Sequence, residues 1–134
     1  MRFWLGLMIC LLSANLCAQT LELKVNGDRS LSGTLHIAVY DDPQEFPGGQ
    51  ASLRAERSWP SMANPVRLDG LATGRYAVTI YLDTNGNGKL DRNFIGLPGE
   101  PVGLSGDPGF GPPQFEDSVF ELSAPTTQLE IRLE

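Results

Sequence analysis

The chain has 134 residues, enough for one domain and no more, and carries a formal net charge of −6. Sixteen acidic against ten basic residues argue against nucleic acid or anionic lipid as partners. A single histidine, with both cysteines at or before position 17, leaves little material for a zinc site or a disulfide framework.

The first residues read as a leader. Arg2 precedes an apolar run from Phe3 to Leu12, followed by small and polar residues. This is the layout of a secretory signal peptide, and the run is too short to span a bilayer. Cleavage is expected after Ala18, although Leu16 stands where a small residue is preferred. Ala14-Asn15-Leu16 ahead of Cys17 is a poor lipidation signal. Residues 1–18 are therefore expected to be removed, leaving residues 19–134 as one soluble domain, periplasmic or secreted, with neither thiol nor disulfide. The leader holds Arg2 and no acid, so the remainder has nine basic and sixteen acidic residues, a net charge of −7.

Period-two alternation, the mark of half-buried strands, then recurs along the chain. Leu21, Leu23 and Val25 alternate with Glu22 and Lys24 in Thr20–Val25. Leu35, Ile37 and Val39 form the inward set of Thr34–Tyr40, which puts His36, the only histidine, at an exposed strand position. Gln50–Arg57 has the composition of a short helix, stopped by Trp59-Pro60. Val66–Leu68 is a weaker strand. Arg75–Leu82 is the strongest, with Tyr76, Val78, Ile80 and Leu82 on one face. Phe120 and Leu122 mark another strand, and Thr127–Glu134 turns Leu129, Ile131 and Leu133 inward. Six to seven short strands without a long helix predict an all-β fold, an antiparallel immunoglobulin-like sandwich.

Between the strongest strand and the next lies the least regular sequence. From Asp83 it reads D-T-N-G-N-G-K-L-D-R-N-F, which fits the calcium-loop pattern D-x-[DN]-x-[DN]-G at Asp83, Asn85, Asn87 and Gly88. Calcium takes six to eight oxygens at about 2.3–2.6 Å, and alternate residues of a tight loop converge on one point. Side-chain oxygens of Asp83, Asn85 and Asn87, the carbonyl of Lys89 and the carboxylate of Asp91 form the expected metal set. Phe94 stands where an EF-hand has its bidentate glutamate, so the shell needs water or a carboxylate from Glu100, Asp107, Glu116 or Asp117. Asn-Gly after a strand is equally a strong turn signal, and a metal-free turn is the rival reading. Gly96–Pro113 follows, with six glycines and five prolines interleaved with Leu97, Val102, Leu104 and Phe110. So many apolar groups predict an ordered loop wrapped against the sandwich and not a linker.

No catalytic constellation emerges. Gly103-Leu104-Ser105-Gly106-Asp107 approaches a nucleophile elbow but lacks the closing glycine. Asp41-Asp42 and Glu116-Asp117 are adjacent acids of the solvated kind. Tyr40, Trp59, Tyr81 and Phe110 have the makings of a glycan-stacking platform, yet large aromatics more often serve as packing.

Leu71-Ala72-Thr73-Gly74-Arg75-Tyr76-Ala77-Val78 resembles the L-x-x-G-x-Y-x-V signature of transthyretin-like and carboxypeptidase-regulatory-like sandwiches. There the Tyr76 hydroxyl would anchor a tyrosine corner. Asp83–Asp91, Asn93–Pro98, Glu100-Pro101, Gly103–Ser105 and Gly111–Phe115, with Phe46-Pro47 and Gly70–Val78 upstream, resemble domain-of-unknown-function family 2141. Gly106-Asp107 departs from that pattern, which tends to have two asparagines there, and Leu104 stands where an aromatic is frequent. The resemblance covers nearly all of Leu21 to Leu133 and implies a secreted or periplasmic bacterial β-sandwich with no established activity.

Together these readings lead to an exported, non-enzymatic sandwich with a weak calcium loop whose end meets an unidentified protein or glycan. Two rivals are a metal-assisted hydrolase using Asp83, Asp91 and Glu100, and a purely structural domain.

Overall fold

The computed structural model describes residues 19–86, 100–106, 112–123 and 125–134. The described chain forms eight strands and one short helix in the order β1 (Gln19–Asn26), β2 (Gly33–Tyr40), β3 (Leu53–Trp59), β4 (Val66–Leu71), β5 (Gly74–Asp83), β6 (Val102–Leu104), α1 (Phe115–Ser118), β7 (Phe120–Leu122) and β8 (Thr126–Arg132). They make two sheets, β4-β1-β8 and β3-β2-β5-β6, with β7 pairing β5 beside β6. The fold is an all-β sandwich, as the alternation predicts.

The register explains the pattern. Leu35, Ile37 and Val39 of β2 lie opposite Leu82, Ile80 and Val78 of β5, so the inward residues of both strands meet in rows. Leu21, Leu23 and Val25 of β1 close the core from the other sheet, joined by Val66, Leu68, Tyr76 and Ile131, all at most 5% exposed. Burying side chains of this size stabilises by roughly 1.5–3 kcal/mol each.

Two local expectations give way. Gln50–Arg57 is not helical: Leu53–Trp59 is an edge strand, β3, paired antiparallel with β2. Arg54, Ala55, Glu56 and Arg57 favour helix locally, but the unpaired edge of β2 and the burial of Trp59 override a weak propensity. The sandwich is also not wholly antiparallel. Among the described residues five strand pairings are antiparallel, whereas β1 and β8 run parallel from Thr20↔Thr126 to Asn26↔Arg132. Alternation tells which face a residue occupies and is silent on strand direction.

The Gly/Pro-rich segment contributes β6, and its described part is ordered against the sandwich. Val102 exchanges backbone hydrogen bonds with Glu134, N–H to carbonyl at 3.0 and 2.9 Å, while β6 also pairs β5. The short strand therefore stitches the two sheets together. Gly103 makes this possible, since a Cβ there would sit 2.5 Å from the Arg132 carbonyl oxygen and 2.7 Å from Ile131 Cγ2.

A second apolar cluster covers the outer face of the larger sheet near the start of β5. Tyr40, Phe46 and Phe115 meet edge to face, with centroids 5.6 and 6.0 Å apart, over Ala38 and Ala77. The Tyr76 hydroxyl donates to the Ala72 carbonyl at 2.7 Å, the corner expected from the L-x-x-G-x-Y signature.

Candidate functional site

The far end of β5 delivers Asp83 to the turn that leaves the sheet. Asp83 is 2% exposed, and its Oδ1 accepts the Gly86 N–H at 2.9 Å. Gly86 adopts φ +74°, a conformation glycine enters at no steric cost. Asn85 lies exposed between them. Of the metal set read from the sequence, Asp83 and Asn85 are thus on this turn. Asn87, Lys89 and Asp91 lie outside the described residues.

Glu100 arrives at the same turn from sixteen residues beyond Thr84. Its carboxylate is 6% exposed, and Oε2 accepts both the Thr84 N–H at 2.6 Å and the Thr84 hydroxyl at 3.3 Å. Of the outside carboxylates that are described, Glu100 is the one brought to the turn. Glu116 pairs with Arg75 at 2.8 Å, and it and Asp117 ride on α1. Arg75 and Asp83 are eight residues apart on one strand, a distance of about 26 Å. Asp107 is outside the described residues. Among the described residues no group of three or more His, Cys, Asp or Glu stands together as a metal cage.

The outer face beside this turn is polar. His36 points outward as the alternation requires, but it is half-buried, not exposed. Its ring stacks on Tyr81 with centroids 4.5 Å apart and planes 10° from parallel. Nδ1 lies 3.5 Å from Glu56 Oε1, and Nε2 lies 3.7 Å from Asp83 Oδ2. Burial, and then the neighbouring Asp83 charge, push the Tyr81 phenol above its ordinary range. The cross-strand pairs His36↔Tyr81 and His36↔Glu56 set this row, so Asp83 belongs to a network anchored on three strands.

The Ser105 hydroxyl is engaged within the fold. The residue is fully buried; its Oγ accepts the Val78 N–H at 2.8 Å and donates to the Ser118 carbonyl at 2.6 Å. The hydroxyl stands in for a missing strand partner in the gap where β5 passes from β7 to β6. Of the four aromatics considered for a glycan-stacking platform, those described are engaged in packing within the fold. Tyr40 and Trp59 are 1% and 3% exposed, and Trp59 Nε1 is spent on the Asp28 carbonyl at 3.0 Å. Tyr81 gives a ring face to His36, and Phe110 lies outside the described residues.

The alternating oxygens of the sequence single out Asp83 as a candidate, and Glu100 is one of four carboxylates that the sequence alone does not rank. The docking of Glu100 on Thr84 and the closeness of His36 to Asp83 had no local signal, because both depend on how the strands pair. No described helix is long and apolar enough to cross a membrane.

Comparison with curated proteins and with solved structures gives no significant match. A family model does match, over residues 23–130, and its description is an uncharacterised protein conserved in bacteria. The chain belongs to that family, domain of unknown function 2141.

Proposed function

We propose that this sandwich is an exported, non-enzymatic binding module whose Asp83 turn holds calcium weakly and thereby sets the loop end that meets a protein or glycan. The observation that carries the reading is the pair of buried carboxylates, Asp83 and Glu100, gripping one short turn. Burying two acids is costly, and a cation beside them offsets that cost. Oxygen donors alone suit a hard ion. Asp83, Asn85, Asn87, Lys89 and Asp91 supply the loop oxygens in this reading, and Glu100 takes the part that Phe94 cannot.

With few carboxylates in the shell, the dissociation constant should be about 10⁻⁴–10⁻³ M, the range of extracellular modules. Thermal unfolding with calcium and with chelator tests the proposal. At tenfold the dissociation constant the folded state should gain about 1.4 kcal/mol, and Asp83→Ala should erase the gain. No gain, or the same gain in Asp83→Ala, leaves a metal-free structural turn. The hydrolase alternative requires turnover that Glu100→Gln abolishes while the fold persists.

A further inference from the structure

Three Asn-Gly dipeptides occur in the chain, at 26–27, 85–86 and 87–88. In this dipeptide the backbone nitrogen after asparagine reaches the side-chain amide most easily, because glycine has no Cβ to obstruct ring closure. The first two sit in opposite surroundings. Asn26 ends β1; its carbonyl accepts the Leu133 N–H at 2.7 Å and its side-chain amide donates to Glu130. Gly27 is wedged behind it, where a Cβ would lie 2.9 Å from Leu133 Cβ and 3.3 Å from the Trp59 ring. Neither residue can swing towards ring closure without breaking the pairing. Asn85 is exposed in a turn, and among the described residues nothing lies within 4 Å of where a Cβ on Gly86 would sit. The Gly86 N–H donates to Asp83 Oδ1 at 2.9 Å.

We propose that Asn85 is a site of spontaneous deamidation in the folded protein and that Asp83 is its brake. The Gly86 nitrogen loses its proton and bonds to Asn85 Cγ. The tetrahedral adduct expels the side-chain nitrogen as ammonia and leaves a succinimide. Water then opens the ring at either carbonyl, so one water is consumed and one ammonia released. The product is aspartate or isoaspartate at position 85, one negative charge more than before. Asp83 slows the first step in two ways. Its hydrogen bond must break, and an amide anion beside a carboxylate is disfavoured by like charge. This inference stands on the turn geometry alone and does not rest on calcium binding.

The test is incubation of the purified protein in warm, mildly alkaline buffer with chelator, followed by peptide mapping. Fragmentation must separate position 85 from position 87, and aspartate from isoaspartate. Acid should accumulate at position 85 while Asn26 keeps its amide, and in denaturant Asn26 should catch up. Asp83→Ala should speed conversion at Asn85 by about tenfold, the effect of losing one hydrogen bond to a charged group. Unchanged Asn26 in that variant certifies that the fold survives. Equal rates at 26 and 85 in the folded protein overturn the proposal. So does an unchanged or slower rate at Asn85 in folded Asp83→Ala. Should that variant unfold, the wild-type comparison decides: a ratio of rates at 26 and 85 that is the same with and without denaturant overturns it.

Discussion

The two ends of β5 are held by different physics. At its start Tyr76 turns the corner, and Tyr40, Phe46 and Phe115 seal the outer face with edge-to-face aromatics. At its finish Asp83 and Glu100 grip a turn through charged acceptors, beside a histidine stacked on a tyrosine. Apolar burial is non-directional and grows with area, so the first end is suited to stability. Hydrogen bonds to buried carboxylates are directional, so the second end fixes geometry and charge at a chosen point. One strand thus links a structural end to a candidate binding end.

Several substitutions can break this contrast. Phe115→Ala should have the largest effect, a loss of about 3–5 kcal/mol in denaturant unfolding, because it opens the aromatic cluster. A loss below that seen at an exposed position would show that the cluster does not anchor the first end. Ser105→Ala should come next, at about 1–3 kcal/mol, since the Val78 N–H and the Ser118 carbonyl both lose a buried partner. Ser105→Cys should recover little of it, as sulfur is a poor acceptor.

Tyr76→Phe should cost about 1 kcal/mol through loss of the hydroxyl bond to Ala72 while keeping the ring packed. The smallest effect is an alkaline one. Burial raises both phenols, with Asp41 adding to Tyr76 and Asp83 to Tyr81, so the folded state holds these protons more tightly than the unfolded chain. Their contribution to stability is complete below about pH 10, the unfolded value, and is lost as pH rises through the folded value. Ultraviolet titration of phenolate should show one fewer late-titrating group in Tyr76→Phe, and likewise in Tyr81→Phe. An unchanged late phase in both variants would contradict the assignment.

How much could be read in advance depended on the range over which each feature is encoded. The faces of β1, β2, β5 and β8 were legible because alternation is local and strict. The Tyr76 corner was legible because its partner, Ala72, is four residues away. β3 was obscured by helix-favouring Arg54, Ala55, Glu56 and Arg57, whose strand state comes only from pairing with β2. The parallel run of β1 and β8 joins the two extremes of the described chain and leaves no mark on either strand. At the site, Asp83 announced itself through its neighbours in sequence. Glu100 did not stand out, because its role is defined by Thr84, and Ser105 resembled a loop serine until Val78 and Ser118 were seen to use it.

The parallel pairing of β1 and β8 bears on how the domain would respond to load. Seven register pairs join the strands, from Thr20↔Thr126 to Asn26↔Arg132. Because the strands run the same way, the beginning of one and the end of the other lie at opposite ends of the ladder. Tension applied between residue 19 and residue 134 would slide the strands along their axes and strain the whole ladder together. An antiparallel pair of neighbouring terminal strands would instead peel apart one bond at a time. A domain fixed at its first strand and pulled from its last is thereby built to resist shear.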